Sequence, residues 1–142
     1  MIQRIQTLWL FLASAAMFLA IKLPFAIETN ESGQTREVMA DTNLYAYLIG
    51  ILLSVGALVI IFLFRRRSNQ KRLIWLGILT CLLFIVLMYF QVEEIKNSGD
   101  QRNTAQFRIG AIFPVLYIVL MAMAYSGVQK DEKLIKSVDR LR

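Results

Sequence analysis

The sequence contains no histidine and only one cysteine, Cys81. The absence of histidine removes the commonest general base and the commonest metal ligand from the chain, and with them most hydrolase designs. A lone cysteine allows neither an intramolecular disulfide nor a cluster of thiolates around a metal ion. Because Cys81 lies inside an apolar run, we interpret it as a packing residue.

The sequence also lacks a phosphate-binding loop and a pair of carboxylates with the spacing of a catalytic dyad. The seven glycines are scattered, without the spacing that a phosphate-binding loop requires. Glu93 is adjacent to Glu94, and Asp131 is adjacent to Glu132. Neighbouring side chains on a helix point about 100 degrees apart, so neither pair predicts a catalytic dyad, and we interpret both as solvated charge. We therefore expect no enzyme activity, no cofactor and no metal site.

Hydrophobic residues are abundant by contrast. They make up 57% of the 142 residues, and the mean hydropathy is +0.54, whereas soluble domains contain about 45 to 50% apolar residues. They concentrate in four runs, at about 8–27, 44–64, 73–90 and 109–128, each near the roughly 20 residues that cross a bilayer. A soluble helical bundle would need polar interruptions in these runs. We predict one integral membrane domain over residues 1–142, with an all-α fold: a four-helix transmembrane bundle.

The charges predict how this bundle is oriented. Residues 65–72 are a basic octapeptide between two apolar runs, and each cation would cost about 2.5 to 3.5 kcal/mol at the centre of a membrane. Its five cations are Arg65, Arg66, Arg67, Lys71 and Arg72. With the octapeptide and both termini on one side, that side holds 11 basic and three acidic residues, and the two opposite loops hold four basic and seven acidic residues. The positive-inside rule then predicts cytoplasmic termini and exported loops at residues 28–43 and 91–108.

The tail, residues 129–142, predicts a C-terminal amphipathic cytoplasmic helix. Apolar residues recur in it at helical spacing, namely Leu134, Ile135, Val138 and Leu141. Its cations include Arg140 and Arg142. The apolar stripe is suited either to lie in the headgroup layer, with the basic face on anionic lipid, or to dock on a partner protein.

A few residues inside the runs stand out. Ala46, Gly50 and Ser54 recur every four residues and predict a face on which another helix packs closely. Lys22 lies near the end of the first run, where its long side chain reaches the headgroups, and a place on an ion pathway is the alternative. We expect Pro24 to end or kink the first helix, and Pro114 to bend the fourth helix, with a hinge or gate as the alternative.

Both ends of the chain resemble a known family. Residues 1–7 read MIQRIQT, and residues 130–142 read KDEKLIKSVDRLR, which fits the pattern KDEKLxxSxDRLR. On these motifs the chain is similar to small four-span membrane proteins from one lineage of Gram-negative bacteria, which are classed as a domain of unknown function. The resemblance implies an inner-membrane location and supplies no activity, substrate or catalytic residue. Both motifs fall on segments predicted to be cytoplasmic, which suggests that the working surface lies there.

These observations favour a non-catalytic membrane subunit or assembly factor of a larger inner-membrane complex, which docks through its basic tail. We expect membrane lipid and a membrane-protein complex as partners, and a homo-oligomer is compatible with the sequence. A small oligomeric transporter or channel, with Lys22 and Pro114 at its path, is one alternative. A translocon or ribosome accessory is another, although no aromatic residues interleave with the cations to stack on nucleic-acid bases, which argues against nucleic acid.

Overall fold

The computed structural model describes residues 2–29, 33–63, 67–97 and 104–139. Its helices are α1 (Ile2–Lys22), α2 (Leu44–Phe62), α3 (Arg67–Asn97) and α4 (Ile112–Asp139). Its strands are β1 (Ala26–Thr29), β2 (Thr35–Val38) and β3 (Thr104–Phe107). Short 3-10 turns at Ala40–Thr42 and Ile109–Ala111 precede α2 and α4.

All four helices are long and apolar enough to cross a membrane. At 1.5 Å per residue, the 19 residues of α2 extend about 28 Å, close to the roughly 30 Å of the hydrocarbon core. The prediction of an all-α, four-helix transmembrane bundle is therefore confirmed, and the chain is a multi-pass membrane protein.

The helices form a ring in chain order. α1 packs against α2 and α4, and α3 packs against the same two helices. Small side chains such as Ala13, Ala57 and Ala124 lie in the centre beside large ones that are fully buried, such as Phe84 and Tyr117. Large apolar side chains are exposed on the outside of all four helices. Such a surface is too apolar for water, and a hydrocarbon environment accounts for it.

The two loops opposite the basic octapeptide meet in a small antiparallel sheet of order β2-β1-β3. In its register, Ala26 of β1 pairs with Val38 on one side and with Phe107 on the other. The pairing begins at Phe25, whose amide donates to the Val38 carbonyl (3.0 Å) and whose carbonyl accepts from the Arg108 amide (2.7 Å). The two loops that were predicted at residues 28–43 and 91–108 are thus paired with each other.

Gly110 allows the start of the fourth helix to approach the end of the first. Its amide donates to the carbonyl oxygen of Pro24 at 3.1 Å. A Cβ atom at this position would lie 2.6 Å from the same oxygen, closer than real Cβ contacts occur. The end of α1 and the start of α4 are therefore joined by a backbone contact that only glycine permits.

Some boundaries differ from the apolar runs. α1 ends at Lys22, and Ala26 and Ile27, at the end of the first run, instead begin β1. Pro24 lies just past the helix, as expected for a residue without an amide donor. α3 extends beyond its run at both ends, so residues 67–72 of the basic octapeptide belong to its first turns.

The fourth helix also differs from expectation. It begins at Ile112, so Pro114 is its third residue, and the first four amides of any helix have no intrahelical acceptor. The missing amide of Pro114 therefore frees no carbonyl, and the physical reason for a bend there disappears. At the other end α4 continues without a break to Asp139, so the tail is an extension of the fourth span.

Candidate functional site

We call the end of the bundle where α1 and α3 begin and α4 ends the basic end. There, Nε2 of Gln6 on α1 donates a hydrogen bond to Oδ2 of Asp131 on α4, at 2.7 Å, and both side chains are buried. The next residue, Glu132, forms a partly buried ion pair with Lys71 on α3. Adjacent carboxylates thus hold α4 to two different helices.

The interpretation of Asp131 and Glu132 as solvated charge was wrong. Asp131 is only 7% exposed, and Glu132 is paired with Lys71. The divergence of adjacent side chains, which rules out a dyad, is what lets each carboxylate reach a separate neighbour. By contrast, Glu93 and Glu94 are both exposed at the other end of α3.

Two serines join α1 and α2 in the middle of the bundle. The Ser14 hydroxyl donates to the Ser54 carbonyl at 2.8 Å, and the Ser54 hydroxyl donates to the Ser14 carbonyl at 3.2 Å. Both side chains are buried, and the two hydroxyl oxygens are 3.4 Å apart. Each hydroxyl is thus satisfied without water, as a membrane interior requires.

The small residues Ala46, Gly50 and Ser54 all lie on the buried face of α2. A Cβ atom on Gly50 would be 2.8 Å from Cγ1 of Ile21 on α1, so the helices approach closely there. Gly56, one turn and a half further along α2, has no atom within 4 Å of the corresponding position. The face that was predicted for helix packing therefore contacts α1 at Gly50 and Ser54.

A pocket of about 690 Å³, which we call the α1–α4 pocket, opens at the basic end. Its lining residues are Ile5, Gln6, Trp9, Met123, Ser126, Gly127, Lys130 and Lys133. Gly127 makes room for Gln6, since a Cβ atom there would lie 2.8 Å from Cγ of that side chain. The walls are mainly apolar, and among the described lining residues the two that carry charge are both cations.

A second concavity, the α2–α3 groove, has a volume of about 320 Å³. It is lined by Leu52, Leu53, Val55, Gly56, Val59, Ile60, Leu73, Leu76, Gly77, Thr80 and Tyr117. Thr80 donates to the backbone carbonyl of Leu76 in its own helix. Tyr117 is 1% exposed, and within the described ranges its hydroxyl makes no hydrogen bond. The groove is thus an apolar surface with one unpartnered hydroxyl.

Among the other residues that the sequence singled out in the spans, Cys81 serves packing. The Cys81 thiol is buried and donates to the carbonyl oxygen of Pro114 at 3.4 Å, which places α3 against the start of α4. Lys22 is exposed at the end of α1. Neither Lys22 nor Pro114 lines the α1–α4 pocket or the α2–α3 groove, so the structure does not bring these two residues together at a described cavity.

Several of the predicted docking residues cannot be placed by side chain. Leu134, Ile135 and Val138 lie in α4, and Arg67 is the first residue of α3, but the structure describes only their backbone. Arg65, Arg66, Arg140, Leu141 and Arg142 lie outside the described residues. Of the named octapeptide cations, Lys71 is paired with Glu132 and Arg72 is exposed. Among the residues described, no three Cys, Asp or Glu side chains cluster closely enough to hold a metal ion.

Sequence comparison decides the family. A profile described as a domain of unknown function, DUF4293, matches residues 2–141. The chain belongs to the DUF4293 family. No curated protein and no solved structure gives a significant match. The likeness to a family of unknown function, which the terminal motifs suggested, is therefore confirmed for the DUF4293 chain.

The sequence contained an overlooked signal for the buried contact at the basic end of this DUF4293 protein. The buried stripe of α4 runs through Tyr117, Met121, Ala124 and Val128 at alternating steps of four and three, and the next step is Asp131. In α1 the same spacing runs through Gln6, Leu10, Ala13 and Met17. Such spacing is typical of helix seams, and extending each stripe by one step predicts that Gln6 and Asp131 are buried.

Proposed function

We propose that the DUF4293 chain is a non-catalytic subunit or assembly factor of a larger complex in the bacterial inner membrane. In this proposal both termini are cytoplasmic, and the end of α4 is the docking element. The supporting observation is that α4 runs unbroken from Ile112 to Asp139, beyond the part that is apolar enough to lie in the membrane.

The contacts at the basic end support a protein-docking role for this extension. Gln6 on α1 and Lys71 on α3 contact Asp131 and Glu132, immediately before the tail stripe begins at Leu134. A projecting helix that is fixed to two neighbours loses little conformational entropy when a partner binds, which favours affinity. A tail that only associates with lipid would gain less from such fixation.

The cross-helix hydrogen bonds also favour a structural role. Ser14 pairs with Ser54, and Gln6 pairs with Asp131, so these polar groups are used to join helices. The alternative of a small oligomeric transporter relied on Lys22 and Pro114, which share neither of the two described cavities. The alternative of a translocon or ribosome accessory relies on the charge of the tail alone.

The test is purification of the tagged protein from its native membrane in a mild detergent, followed by mass spectrometry of what co-purifies. We expect a partner at fixed stoichiometry that stays bound in 0.5 M salt. At that salt concentration the Debye length is about 4 Å, so contacts that depend on charge alone are screened. Replacing Leu134, Ile135 and Val138 by serine should remove that partner. A matched variant on the opposite helix face, Gln129→Ser with Lys136→Ser, should keep it.

Three results would contradict the proposal. A protein that purifies only as a homo-oligomer favours the transporter. Ribosomal material that dissociates in salt favours the accessory role. A partner that is retained by the triple serine variant means that the tail is not the docking element.

A further inference from the structure

The charged side chains that line the α1–α4 pocket in the described part of the chain are both lysines, although a carboxylate lies between them in the sequence. Lys130 and Lys133 are three residues apart and therefore lie on one face of α4, and both line the pocket. Asp131 lies between them in sequence but not among the lining residues, because it contacts Gln6. Among the described residues, the pocket therefore presents two cations and no carboxylate.

The depth of the pocket places these cations at a membrane boundary. The parts of α1 and α4 that are apolar enough to cross a membrane begin at Ile5 and end at Lys133, and both residues line the pocket. Trp9 is half-buried in the wall, and indole rings concentrate at the level of the headgroups. Ile5 lies at the boundary with the lysines, whereas Trp9 and Met123 lie deeper along α1 and α4, on the hydrocarbon side.

We propose that the α1–α4 pocket binds one anionic phospholipid, whose phosphate lies between Lys130 and Lys133 and whose first methylene groups pack on Trp9 and Met123. Basic pockets between transmembrane helices are suited to such headgroups. A volume of about 690 Å³ accommodates a headgroup with the start of its chains, more than a free phosphate ion fills. This site does not depend on the docking role proposed for the tail.

The test is native mass spectrometry of the purified protein in detergent, titrated with phosphatidylglycerol and with phosphatidylcholine of the same acyl chains. We expect one phosphatidylglycerol to bind in preference to phosphatidylcholine. Each lysine is expected to contribute about fivefold to phosphatidylglycerol binding, so the double variant Lys130→Gln, Lys133→Gln should weaken it by about 25-fold. Unchanged binding by this variant would overturn the proposal.

The matched control removes two lysines from the opposite end of the bundle. Lys22 and Lys96 are both exposed there, so Lys22→Gln with Lys96→Gln lowers the net charge by the same amount. We expect this control to bind phosphatidylglycerol as the unmodified protein does. An equal loss of binding in the control would mean that net charge, rather than the pocket, attracts the lipid, and the proposal would fail.

A third variant separates the pocket from an open basic surface. Ser126 is an exposed lining residue, and Ser126→Trp fills pocket volume while both lysines remain. We expect at least a fivefold loss of phosphatidylglycerol binding, with thermal stability unchanged. Full binding by Ser126→Trp would overturn the pocket as the site. Displacement of the lipid by an equal concentration of inorganic phosphate would overturn the choice of a lipid ligand.

Discussion

Asp131 and Gln6 are 125 residues apart in sequence, and their buried hydrogen bond joins the first and last helices. Sequence reasoning assigned Asp131 to solvent because adjacent helical side chains diverge, so that Asp131 and Glu132 cannot form a catalytic dyad. Charge alone did not distinguish the residue that faces α1 from those that face water. The position of Asp131 in the buried stripe of α4, one step beyond Val128, distinguishes it from the exposed charges.

We expect Asp131→Ala to destabilise the protein by about 1.5 to 3 kcal/mol, because it leaves the Gln6 amide buried without an acceptor. Asp131→Asn keeps an acceptor oxygen and should cost less than half as much. The measurement is unfolding of the purified protein in detergent, followed by circular dichroism. If the alanine and asparagine variants are equally stable, the hydrogen bond contributes nothing.

Tyr117 provides a different case, a buried ring whose hydroxyl lines the apolar α2–α3 groove and makes no hydrogen bond in the described part of the chain. An unsatisfied hydroxyl in an apolar environment costs about 1 to 3 kcal/mol, so Tyr117→Phe should leave the protein equally stable or up to about 1 kcal/mol more stable. Tyr45→Phe, at an exposed position, is the matched control and should be neutral. A loss of more than about 1 kcal/mol in Tyr117→Phe would show that the hydroxyl has a partner.

At the scale of elements, the four helices were predictable because each apolar run is long enough to cross the bilayer on its own. The sheet was not, because β1 pairs with residues about 80 positions away, and no local pattern reports that pairing. The end of the first run illustrates the difficulty. Ala26 and Ile27 are as apolar as the helix before them, and only the pairing with β2 and β3 separates strand from span.

Two glycines of α2, Gly50 and Gly56, allow a comparison within one helix. Gly50→Leu should destabilise the bundle by about 1 to 3 kcal/mol, because its Cβ atom already meets Ile21 at 2.8 Å and the larger side chain forces α1 away. Gly56→Leu should be tolerated, since its Cβ atom meets nothing within 4 Å and the α2–α3 groove has room. Thermal unfolding of both variants in the same detergent measures the difference. Equal costs at the two glycines would contradict the close approach of α1 and α2 at Gly50.

At the scale of the whole molecule, charge and apolar surface act together. Exposed apolar side chains around the ring require hydrocarbon, and the cations and carboxylates then have to lie at its two ends. The octapeptide, the tail and the start of the chain bring basic residues to one end, and the paired loops bring acidic residues to the other. An excess of cations favours retention in the cytoplasm, which is the physical basis of the proposed orientation.

Cysteine labelling tests this orientation, because the one native cysteine, Cys81, is buried. Gln34 lies in the loop before β2, Asn69 lies in the first turn of α3, and both are exposed. In spheroplasts with an intact cytoplasmic membrane, we expect a membrane-impermeant maleimide to label Gln34→Cys at once and Asn69→Cys only after permeabilisation. The unmodified protein should stay unlabelled in both conditions. The reverse order of labelling would mean that the basic end faces outward, and then the tail would be unavailable to any cytoplasmic partner.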